Sequence, residues 1–167
     1  MNMYNKFKIK IKEPLFSKVF EEYKDKNNEG EGSKEKRGNL FPKEVIEKMP
    51  DKKIKETCKE FNFNYRNENP VACILLLRRL VPLSIIKKFL MENLEDEIKN
   101  NKNEFLGTSA LVDKSNRFVE PRLQGDVDGA RTQLDSSQHL FSVSMTMTDA
   151  GDIGGKVRAF LDSLFEE

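Results

Sequence analysis

From Tyr4 to Lys12 apolar and polar positions alternate with a period of two: Phe7, Ile9 and Ile11 fall on one side, Lys6, Lys8, Lys10 and Lys12 on the other. This pattern predicts a half-buried strand over 4–12 with lysines on its wet face. Such a ladder also discourages unwanted edge pairing. After Pro14 the period lengthens to three and four through Leu15, Phe16, Val19, Phe20 and Tyr23, which predicts a short helix. Residues 25–39 contain no apolar side chain and read as a flexible linker. Two more short helices follow. Pro42 opens one with Val45, Ile46 and Met49 apolar, and Asp51 is placed to cap a second whose face is Ile54, Cys58 and Phe61.

The strongest helical signal starts at Asn69-Pro70, because Asn is a good N-cap and Pro is tolerated at the first helical position. A central helix is expected over 69–100. It is apolar nearly all round to Ile86 and amphipathic afterwards through Phe89, Leu90, Leu94 and Ile98. Pro82 should kink or split it, since it removes a backbone bond and clashes with the preceding turn. A helix apolar on every side belongs inside a bundle or in a contact with another chain.

Past residue 104 the periodicity weakens. Residues 105–112 predict a short helix, 113–128 a long connection containing Pro121 and Gly125, and 129–141 a further helix. Phe141, Val143, Met145 and Met147 then alternate with Ser142, Ser144, Thr146 and Thr148, a second strand-like stretch over 141–148. The last helix is expected over 154–165, with Asp149 or Asp152 as its cap. A lone strand leaves its backbone groups unpaired, so 4–12 is expected to pair with 141–148 or with its own copy in a second chain. The fold class is therefore mainly α, a helical bundle around a long Pro-kinked central helix with a minor two-stranded β element, in a single domain over 1–167.

Composition narrows the function. The formal charge of +1 argues against a globally basic nucleic-acid binder. It hides an asymmetry: 23 basic against 18 acidic residues in 1–104, and 6 against 10 in 105–167. One His and two Cys exclude a zinc finger built from this chain alone, and no metal or other cofactor is expected. The start has no apolar stretch behind its lysines and no apolar run approaches the ~20 residues of a membrane span, so a cytoplasmic protein without membrane contact is expected. Cys58 and Cys73 lie in apolar helical patterns and read as buried free thiols.

Several constellations suggest chemistry. Ala150 to Lys156 sits where a phosphate-binding loop would, but lacks its first glycine and its hydroxyl, and reads as a helix-entry loop. Asp126 to Gly129 opens like a calcium loop whose later ligands are missing, and reads as an acidic turn. His139, the only histidine, is the one side chain with an ordinary pKa near neutrality. Arg78 and Arg79 interrupt the apolar run. A buried cation needs a partner, so the structural expectation is a pair with a carboxylate such as Asp135, and the functional one an arginine aimed at phosphate near His139. The lysines at 6, 8, 10 and 12 form the only candidate nucleic-acid stripe.

Asn69-Pro70, Ala72, Leu75-Leu76-Leu77-Arg78 and Leu80, with Leu134-Asp135 and His139 downstream, resemble the small helical HEPN-type domains of prokaryotic defence and toxin–antitoxin systems. The resemblance covers roughly 69–100 and 129–165. It implies a dimerising helical bundle and, in active members, a metal-independent ribonuclease whose signature is Arg, four to six residues, then His. Here Arg131 and His139 have seven residues between them, so the motif carries over only in loosened form, with Arg78 a third member of the cleft. The leading expectation is a non-catalytic interaction module of a defence or regulatory system that forms a homodimer or docks on a partner protein. The alternative is a ribonuclease or RNA-binding protein using Arg78, Arg131 and His139.

Overall fold

A computed structural model describes residues 37–139 and 145–166. The expected strand 4–12, the helix after Pro14 and most of the linker 25–39 lie outside the described residues, as do 141–144. Where it is described the chain is mainly helical. The described residues hold α1 (Lys43–Lys48), α2 (Lys52–Arg66), α3 (Pro70–Met91), α4 (Thr108–Ser115), α5 (Pro121–His139) and α6 (Met147–Leu164), with short 3₁₀ turns at Glu95–Ile98 and Asn116–Phe118.

The early boundaries follow local chemistry. Pro42 precedes α1, and the Asp51 carboxylate accepts from the Lys53 N–H at 2.7 Å to open α2. The Asn69 side chain accepts from the Ala72 N–H at 3.2 Å, and Pro70 fills the first helical position of α3. Both α2 and α3 end in Schellman turns. Asn69 N–H reaches the Asn64 carbonyl (3.0 Å), and Leu94 N–H reaches that of Phe89 (2.9 Å). Glu68 (φ 53°) and Asn93 (φ 58°) take the left-handed position that glycine usually fills.

That second turn corrects the expected span 69–100. The helix stops at Met91, and the chain turns back so that the 3₁₀ segment buries Ile98. Pro82 lies inside α3 without ending it. Buried neighbours on both sides (Leu77, Leu80, Val81, Ser84 and Ile85) hold the helix across the lost backbone bond, and the Ser84 hydroxyl donates to the Leu80 carbonyl at 2.8 Å.

α3 is the centre of the assembly, packed on α2, α4, α5 and α6, while α5 and α6 also pack on each other. The core runs through Ile54, Cys58 and Phe61 of α2, Val127, Ala130 and Leu134 of α5, and Ile153, Val157, Phe160 and Leu161 of α6. Each set recurs at helical spacing, so each helix turns one apolar stripe inward.

Three expectations in the second half are corrected. The span 113–128 is largely helical: α4 runs to Ser115, a 3₁₀ turn follows, and α5 begins at Pro121. Proline at the first position starts the helix rather than breaking a connection. The strand expected over 141–148 is not formed where the chain is described. Thr146 caps α6 and Met147 and Thr148 are its first turn, with Thr146 and Asp149 making a reciprocal capping box. The last helix therefore starts at Met147, not Gly154. Among the described residues the sole β feature is an isolated bridge between Lys99 and Phe105.

Ala150 to Lys156 accordingly lies within α6 and forms no loop. Gly154 serves contact. A Cβ on Gly154 would stand 2.3 Å from Leu40 Cδ2 and 3.1 Å from Phe61 Cζ, whereas one on Gly155 would meet nothing within 4 Å. Gly154→Ala is expected to lose about 1–2 kcal/mol through overpacking, despite alanine's better helix propensity. Gly155→Ala should gain up to about 1 kcal/mol. Urea melts of the two variants check the opposite signs.

Candidate functional site

Two of the residues singled out for chemistry, Arg78 and Arg131, meet along the seam between α3 and α5. On α5, Asp128, Arg131 and Asp135 stand three and four residues apart and share one face. Arg131 donates from Nε to Asp128 Oδ1 at 3.0 Å and from Nη1 to Asp135 Oδ2 at 3.1 Å. The Asp128 carboxylate, hydrogen-bonded to the guanidinium, holds Arg131 above its ordinary pKa, and Asp135 adds to this. From mid-α3, Arg78 extends Nη2 to within 3.8 Å of Asp135 Oδ1. Asp135 thus stands between two arginines, as expected for the Arg78 partner.

The pairing is incomplete. Arg78 Nη1 is buried and has no hydrogen-bond partner among the described residues. Asp135 is itself partly exposed, so water weakens its attraction to both arginines. Arg79, the next residue, is exposed.

His139 is the last residue of α5. It follows Asp135 by four residues and Arg131 by eight, which places its backbone on the same helical face as both. Its side chain lies outside the described residues, as do Lys6, Lys8, Lys10 and Lys12. Arg78 and Arg131 are therefore brought together through Asp135. Asp126 to Gly129 forms no acidic turn: it lies inside α5, with Val127 buried and Asp128 occupied by Arg131. Among the described residues no cluster of three or more His, Cys, Asp or Glu is arranged to hold a metal ion.

Cys58 and Cys73 are fully buried and unpaired. Burial pushes the Cys58 thiol up to about 12 and the Cys73 thiol to about 11, which favours the protonated form of both at neutral pH.

A second feature lies on the outward side of α3. Val71, Leu75, Arg79, Pro82, Ile86 and Leu90 recur at four- and three-residue steps along one stripe, and Arg79 is its only charge. Val71 is 62% and Leu75 58% exposed, and Phe63, near the end of α2 that leads into α3, is 60% exposed. Leu90 and Met91 are exposed at the far end of the helix. No helix among the described residues is long and apolar enough to cross a membrane, so this apolar surface is not explained as a bilayer span. Fold and site together define a mainly helical domain with an apolar outer stripe and a charged α3–α5 seam. No family model, curated protein or solved structure matches the chain.

Proposed function

We propose that the chain is a non-catalytic helical interaction module that pairs with a second copy of itself through the outer face of α3. The observation that supports this is the exposure of Val71 and Leu75 on a helix whose other side is fully buried. Exposed apolar surface of this extent usually marks a contact site. From Val71 to Leu90 the stripe is about 28 Å long at 1.5 Å rise per residue. A single helix face about 10 Å wide falls below the ~800 Å² per partner of a standard interface, so the contact is a small, concentration-dependent one. A formal charge of +1 gives two copies little long-range repulsion.

Light scattering after size exclusion at tens of micromolar is expected to give twice the 19.4 kDa chain mass, relaxing to one on dilution. Leu75→Glu, at a position already in solvent, should give a monomer with unchanged far-UV dichroism. A wild-type chain that stays monomeric at all concentrations sinks the proposal.

A second reading, an RNA-cleaving or RNA-binding protein, is supported by the meeting of Arg78 and Arg131 at one carboxylate on the helix that ends in His139. In that reading the arginines would face phosphate and His139 would move a proton. Loss of RNA cleavage on His139→Ala, with RNA binding retained, would support it. A wild-type chain that neither binds nor cuts RNA at low salt removes it.

A further inference from the structure

The outer stripe of α3 has the same spacing from either end. Val71, Leu75, Arg79, Pro82, Ile86 and Leu90 follow one another at steps of four, four, three, four and four residues. A two-fold axis crossing α3 between Arg79 and Pro82 therefore lays the stripe on itself in an antiparallel pair. Leu75 of each copy then lies level with Ile86 of the other, and Arg79 with Pro82. In a parallel pair Arg79 would meet Arg79 in the middle of an apolar seam, where two like charges repel with little water to screen them.

The central level carries a free acceptor and a free donor. Pro82 has no N–H, so the Arg78 carbonyl loses the donor that an unbroken helix supplies one turn on. Pro82 lies on the outer stripe, so that carbonyl opens on the outer side, where water serves it in a single chain. A second helix laid on the stripe displaces this water, and the carbonyl then needs a new donor. Arg79 has donors to spare. Arg78 turns to Asp135, 3.8 Å away, whereas Arg79 is exposed and its guanidinium makes neither an ion pair nor a hydrogen bond among the described residues. Across the about 8–10 Å between packed helices, a side chain as long as arginine reaches the opposite backbone.

We propose, resting on the self-pairing above, that two copies meet through α3 in antiparallel orientation. The Arg79 guanidinium of each copy donates to the Arg78 carbonyl that Pro82 leaves open in the other. Arg79 is then a source of affinity and register. A lone cation in an apolar stripe that met no acceptor would only weaken the contact.

Two measurements on the full chain test this. Leu75→Cys and Ile86→Cys chains are mixed and treated with a bismaleimide shorter than the about 16 Å that separates the two levels along a helix. Cys58 and Cys73 are fully buried and do not compete. Cross-linked dimer is expected from the mixture and not from either variant alone. Cross-linking of each variant only with itself would show parallel copies and overturn the proposal. So would a dimer by light scattering that gives neither pattern. A chain monomeric by light scattering at every concentration removes the self-pairing itself, and the geometry with it. In the second measurement, dissociation constants are taken by sedimentation. Arg79→Leu should weaken pairing on the order of tenfold in the wild-type background. In Pro82→Ala, whose restored N–H closes the carbonyl, the same change should cost nothing. Tighter pairing by Arg79→Leu, or an equal loss in both backgrounds, would overturn the role of Arg79.

Discussion

Phe61→Ala is expected to lower stability by about 3–5 kcal/mol, the usual cost of truncating a buried phenylalanine. Phe61 is fully buried and joins three parts of the chain. Its ring stands edge-on to Phe41 at 5.2 Å and 88°, and stacks on Tyr65 of its own helix at 5.6 Å and 19°. Its Cζ faces Gly154 of α6 so closely that no Cβ fits there without a shift. Truncation leaves a void bounded by two rings and a helix backbone, which the surroundings fill poorly, and forfeits aromatic contacts worth about 0.5–1.5 kcal/mol per pair beyond area. Against a total of roughly 5–15 kcal/mol this is a large share. Urea melts should show a lower midpoint at an unchanged slope. Because Phe61 and Gly154 share one space, the loss in Phe61→Leu combined with Gly154→Ala should be smaller than the sum of the single losses. An additive result would mean that the α2–α6 contact is not as tight as drawn.

The elements best legible in the sequence were those written in local chemistry. Asp51 and Asn69 are caps whose side chains bond the next turn, and such bonds depend on residues two or three positions away. The Arg78–Asp135 pair was legible because a cation inside an apolar run has few ways to be stable. The features that differ from the sequence expectation depend on longer range. Gly125, Pro121 and the acidic residues near them look like a connection. Yet Pro121 is the first residue of α5, and Val127, Ala130 and Leu134 bury a stripe against α3 and α6 that outweighs the glycines' poor propensity. Asn93 carried a usable signal, since asparagine readily adopts the left-handed turn that ends α3, but the apolar period continues past it to Ile98 and hides the break. The alternation around Met145 and Met147 suggested a strand, while Thr146 with Asp149 three residues on is a capping box, and that local signature prevailed. At the candidate site, the convergence of Arg78 and Arg131 on one carboxylate depends on the α3–α5 packing, which no spacing in the chain encodes.

Asn62 sits beside the apolar face of α2, which hides it in the sequence pattern, yet it is buried and holds a second segment in place. Its Oδ1 accepts from the Phe41 N–H at 3.0 Å and its Nδ2 donates to the Phe41 carbonyl at 2.6 Å. Phe41 precedes α1, is wholly buried and has no helix to satisfy its backbone. The asparagine amide therefore stands in for a β-ladder partner. Asn62→Ala leaves a buried donor and a buried acceptor without partners, at about 1–3 kcal/mol each. A net loss of about 2–4 kcal/mol is expected, since the 37–41 segment can relieve part of it by moving toward water. Asn62→Leu restores volume but not the bonds, and should be about as damaging, which separates the polar effect from a cavity. Asn62→Asp gives a third, pH-dependent outcome. The ionised carboxylate can accept from the N–H but is repelled by the carbonyl oxygen, while the protonated form can also donate to that carbonyl. Burial and the facing carbonyl raise the folded-state pKa of the introduced acid above its unfolded value. Its stability is then greatest below the unfolded carboxyl value and falls as pH rises through the folded one. Relative to wild type, thermal melts of Asn62→Asp should improve on acidification from neutral pH, and those of Asn62→Leu should not. If all three variants melt with the wild type, Asn62 does not hold the Phe41 segment.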